Sequence, residues 1–115
     1  MKITRVRLTS VNTPRHNSSL VCGHVMVELE TDDGLTGVGE MSDFQHLPRY
    51  HPDVADLELS LNEIVVGLEP HELTELNARL DASFPQAGYI YDKSRAVRTG
   101  VDLAMWDLHL SLIHI

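Results

Sequence analysis

Val21-Cys22-Gly23-His24-Val25-Met26-Val27-Glu28-Leu29-Glu30 alternates residue by residue, then Thr31-Asp32-Asp33-Gly34 breaks the run before Leu35-Thr36-Gly37-Val38-Gly39-Glu40. Val21, Gly23, Val25, Val27 and Leu29 share one face, and Cys22, His24, Met26, Glu28 and Glu30 the other. That period of two is the pattern of a half-buried strand. Asp33-Gly34 is a hairpin signal, because glycine accepts the positive φ a tight turn demands. Leu35 to Glu40 is then the returning strand, with Gly37 and Gly39 leaving one of its faces nearly bare. Upstream, Ile3, Val6, Leu8 and Val11 alternate with Arg5, Arg7 and Thr9, and the alternation slips at Thr4. The opening third therefore reads as a three-stranded antiparallel meander.

The period then changes to that of helices. His51-Pro52-Asp53 is a helix start, with Asp53 as N-cap or Pro52 in the first turn. Val54, Leu57, Leu61, Ile64 and Val65 follow at helical spacing, and Gly67 ends that helix. Pro70 opens a second helix, whose stripe is Leu73, Leu76, Leu80 and Phe84 and whose stop is Pro85. A third begins near Asp92 or Lys93 and buries Val97, Val101, Ala104, Met105 and Leu108. Gly100 inside it costs about 1 kcal/mol against alanine, so a close helix contact is expected there. Strands followed by helices indicate an α+β fold: a meander, then a three-helix bundle. Two polar stretches without a period, Thr13 to Ser19 and Met41 to Tyr50, are loops.

Composition narrows the function. The chain has 115 residues, with 9 Lys and Arg against 17 Asp and Glu, a net charge of −8. Such a balance argues against nucleic acid, which needs a basic face. No apolar run approaches the ~20 residues of a membrane span, and Met1 to Arg5 opens no signal-peptide core. One cysteine gives no disulfide framework and fits a reducing cytoplasm, the expected location.

Residue chemistry alone yields no complete active site: no catalytic and no metal-binding residue is assigned. His46 and His51 lie five apart near Asp43, but the spacing matches no strong zinc pattern. Cys22 and His24 share a strand face, yet nothing adjacent orients the histidine. Gly34, Gly37 and Gly39 sit in a turn and strand rather than before a helix N-terminus, so they are no phosphate loop. Asp102 and Asp107 flank Trp106 on the most apolar helix, where a structural hydrogen bond or ion pair is expected.

Two separated motifs carry a resemblance. Asp32-Asp33-Gly34-Leu35-Thr36-Gly37-Val38-Gly39-Glu40 after the meander, and Ala96-Val97-Arg98-Thr99-Gly100-Val101-Asp102-Leu103-Ala104-Met105-Trp106-Asp107-Leu108 later, resemble the N-terminal region of the enolase superfamily. The similarity is to its mandelate racemase and muconate lactonizing branch. It covers Met1 to about Leu108. The resemblance implies a capping domain that precedes a (β/α)-barrel. The barrel would bring the catalytic base and the carboxylates that bind Mg²⁺, so neither role can be carried onto this chain, which is expected to hold no cofactor and to be inactive alone. The shared reaction is removal of a proton α to a carboxylate, leading to dehydration, racemisation or cycloisomerisation. Two capping-domain loops would close over the barrel mouth and select the substrate. By position they match the two polar stretches. The first offers Arg15, His16, Asn17 and Ser19, and the second Asp43, Phe44, His46 and Tyr50. These donors suit a hydroxylated acid, so a sugar-acid dehydratase is the favoured parent. The implied partners are the missing barrel, a small carboxylate substrate and further copies of the parent in a homo-oligomer.

The pattern stops after residue 108. Leu110-Ser111-Leu112-Ile113-His114-Ile115 is what CTG TCT CTT ATA CAC ATC encodes, the mosaic end of a transposon used in library preparation. Residues 1–108 are therefore expected to be the capping domain, and 109–115 an aberrant tail joined by a sequencing artefact. The barrel-facing surface would then present an exposed apolar patch. The alternative reading is a stand-alone α+β interaction domain without catalysis.

Overall fold

A computed structural model describes residues 1–14, 21–41, 53–85 and 93–113. Three strands, β1 (Ile3–Pro14), β2 (Val21–Thr31) and β3 (Thr36–Met41), precede three helices, α1 (Val54–Val65), α2 (Leu73–Ser83) and α3 (Lys93–Ile113). The sheet order is β1-β2-β3, antiparallel throughout. The fold is thus α+β, and the described residues form no closed barrel.

The alternation in β2 sets the core. Val25, Val27 and Leu29 are buried against the helices, beside Ile3, Val6 and Leu8 of β1. The slip at Thr4 is a β-bulge: Ile3 pairs with Thr31 and Arg5 with Glu30, so one extra residue lets Ile3 and Val6 both point inward. On the outer face Arg7 approaches Glu30 at 3.3 Å and Arg5 at 4.0 Å.

The hairpin is tighter in chemistry and longer by a residue than an Asp-Gly pair alone implies. Gly34 N–H donates to the Thr31 carbonyl at 3.2 Å, and Thr31 N–H to the Leu35 carbonyl at 3.1 Å. Asp32, Asp33 and Gly34 make a three-residue loop, with Gly34 at φ +85°. The Thr31 hydroxyl also donates to the Leu35 carbonyl, at 2.7 Å. The return strand consequently starts at Thr36 and runs through Met41.

Helix α3 lies on β3 where glycine removes the side chains. A Cβ at Gly37 would collide with the Ala104 carbonyl and the Leu108 side chain, and one at Gly39 with the Gly100 carbonyl. Gly100 in turn is closed in by Met41. The helix contact expected at Gly100 is therefore with the sheet. Because Gly37 meets residues 104 and 108 while Gly100 meets Met41, α3 runs antiparallel to β3.

Both outer edges of the sheet are held by helix side chains. On β1, the Asn62 amide accepts from Val6 N–H and donates to the Val6 carbonyl, each at 2.9 Å, while Glu58 accepts from Leu8 N–H at 2.8 Å. On β3, Asp107 accepts from Val38 N–H at 2.9 Å. Unpaired strand edges invite pairing with other chains, and these contacts occupy them.

The helix ends are mostly as the sequence indicates. Asp53 caps α1 by accepting from Asp56 N–H at 3.1 Å, and Gly67 follows its C-terminus at φ +96°. The second helix is a correction: it begins at Leu73, not Pro70. Glu69 and Glu72 first close a turn, through Glu72 N–H to the Glu69 carbonyl at 2.9 Å and Glu69 N–H to the Glu72 carboxylate at 3.0 Å. The third helix starts at Lys93 and continues to Ile113.

Candidate functional site

The ends of the elements gather at one end of the molecule. Pro14 pairs with Val21, so β1 leaves and β2 returns there, and β3 runs towards that same end, stopping at Met41 beside Val25, short of Val21. The antiparallel course of α3 brings its N-terminal half to Met41 as well. Asp53 starts α1 there too, because Asn62 lies beside Val6 and Glu58 beside Leu8, so α1 runs antiparallel to β1. The segments joining β1 to β2 and β3 to α1 therefore spring from one end of the sheet.

Arg15, His16, Asn17, Ser19, Asp43, Phe44, His46 and Tyr50 lie on those two segments, outside the described residues, as does His51. One boundary is corrected: Thr13 and Pro14 belong to β1, since they pair with Cys22 and Val21. Proline is tolerated there because β1 is an edge strand and Pro14 its last residue.

The described residues nearest this end include a contact that the sequence pattern does not reveal. His24 Nδ1 lies 2.7 Å from Glu40 Oε1 on the outer sheet face. The two are diagonal neighbours: Met26 faces Glu40 directly, and Val11 of β1 faces His24. Only the register shows this pairing, whereas the strand pattern places His24 on the outer face and nothing more. The Cys22 side chain lies outside what is described, so the Cys22–His24 pairing rests on the sequence alone.

The two carboxylates of α3 differ in their surroundings. Asp107 holds the β3 edge through Val38, and Asp102 is half-buried. Burial raises the Asp102 carboxyl above its usual 3.8, and the nearby Arg98 guanidinium opposes that shift. Arg98 also pairs with Asp81 of α2.

Among the described residues no three His, Cys, Asp or Glu side chains are grouped so as to hold a metal ion. The described residues do not by themselves fit a magnesium site. Nor is any helix among them long and apolar enough to cross a membrane.

Comparison with known proteins now identifies the lineage. The family model for the mandelate racemase/muconate lactonizing enzyme N-terminal domain matches residues 3–111. Cis-3-hydroxy-L-proline dehydratase of Roseibium aggregatum is 30% identical over 94% of this chain and 30% of its own length. A structure assigned to the mandelate racemase/muconate lactonizing enzymes from Silicibacter pomeroyi superposes with TM-score 0.76 and 28% identity, over 98% of this chain and 31% of that one. Another so assigned, from Roseovarius nubinhibens and complexed with magnesium, gives 0.75 and 27%, over 98% and 30%. The chain thus spans about 30% of the length of these relatives. It belongs to the mandelate racemase/muconate lactonizing enzymes of the enolase superfamily, as their N-terminal capping domain.

Proposed function

We propose that this chain is the substrate-selecting cap of a longer, magnesium-dependent enzyme that removes the proton α to a carboxylate and expels a β-hydroxyl as water. The observation that carries the reading is the common origin of the 15–19 and 42–50 segments at one end of the sheet, within a fold of this family. A dehydratase among the relatives supports the reaction class. A hydroxylated acid, of the sugar-acid kind, is the substrate class; racemisation and cycloisomerisation are the other outcomes open to such a parent.

The chain's own part is recognition. Arg15 supplies a planar donor pair suited to a carboxylate. His16, Asn17, Ser19, Asp43, His46 and Tyr50 supply hydrogen bonds for substrate hydroxyls, and Phe44 supplies an apolar wall. Closing such segments over a site excludes water and strengthens every polar contact inside it. In the longer enzyme the C-terminal domain would hold the Mg²⁺ and the base, and the metal would supply stabilisation of the negative charge that proton removal creates.

That domain packs along α3 on this reading. The selecting segments rise at the N-terminal end of α3, and in the longer enzyme the polypeptide continues from its other end. The partner must then reach both ends of the helix. Leu103 (49% exposed) and Trp106 (43%) lie on the side of α3 away from the sheet, where it would rest.

Sequencing the source locus beyond codon 108 tests the reading. An open frame continuing for roughly another barrel of ~250 residues is expected. Recovery of this same tail and stop codon from genomic DNA would overturn it in favour of a stand-alone interaction domain.

A further inference from the structure

We draw no further inference here: the strongest candidate, the outer face of α3 where Leu103, Trp106 and Leu110 are exposed, belongs to the surface already given to the C-terminal domain, and nothing in the structure shows what else covers it.

Discussion

Gly39 of β3 lies against the carbonyl of Gly100 on α3, so close that a Cβ on Gly39 would collide with that oxygen. The pair explains why a helix tolerates a mid-length glycine: both residues surrender side chains so that helix and strand backbones can touch. Gly39→Ala pushes α3 off the sheet, at the upper end of ordinary overpacking, about 3 kcal/mol. Gly34→Ala is the control. A Cβ there meets nothing, and the cost is the left-handed backbone alone, about 1–2 kcal/mol. Gly34→Asn should recover part of it, since asparagine tolerates that conformation. Urea titration of the three variants should rank them in this order.

Asn62 is the second structural expectation. Its amide satisfies both the donor and the acceptor of Val6 on the outer edge of β1. Asn62→Leu leaves both backbone groups without that partner beside a buried residue. The expected loss is about 3 kcal/mol, from ~1–3 kcal/mol per unsatisfied group. A lower midpoint in chemical denaturation with an unchanged slope checks it.

Much of this is legible in the residues, and most of the misses share one cause. The meander, the slip at Thr4 and the Asp53 cap follow from local pattern; at Gly100 the pattern shows that a close contact is needed, while its partners Gly39 and Met41 lie far along the chain. The edge contacts of Asn62, Glu58 and Asp107 do not follow from local pattern. They join residues 50 or more apart, and nothing in α1 alone says that it runs beside β1. The start of α2 at Leu73 is a separate case: proline at a first turn is a common helix signal, whereas the Glu69–Glu72 turn is a competing local solution. Of the candidate site, the sequence conveys residue type and the strand pairing conveys where its segments are rooted. The His24–Glu40 contact needed the register.

Asp102 sets a pH dependence. Its native carboxyl holds its proton more tightly than the unfolded one, because burial disfavours the charge more than Arg98 favours it. The ionised form therefore costs stability at neutral pH, and that cost fades as pH falls through the raised native value towards 3.8. Asp102→Asn should melt at a higher temperature than the parent at pH 7, and the gap should narrow towards pH 4. A lower melting temperature for the variant at pH 7 would mean that the Arg98 attraction dominates instead.

The open side of α3 yields a pair of opposite outcomes. In the 115-residue chain, Leu103→Glu with Trp106→Glu should raise solubility and change the unfolding free energy by no more than about 0.5 kcal/mol, as for surface positions generally. In the full-length enzyme the same pair should lower stability, since two buried carboxylates would then lack partners. Light scattering and thermal melts on both proteins distinguish the two.

The most direct measurement is exchange of the α-proton in deuterium oxide by the full-length enzyme with Mg²⁺, across a panel of hydroxylated carboxylates. Exchange on at least one of them is expected. Arg15→Ala and His46→Ala should each lower its kcat/KM by about tenfold or more, roughly 1.4 kcal/mol of transition-state stabilisation, and reorder the panel. Absence of exchange on every carboxylate, or both variants leaving kcat/KM unchanged, would contradict a substrate-selecting cap.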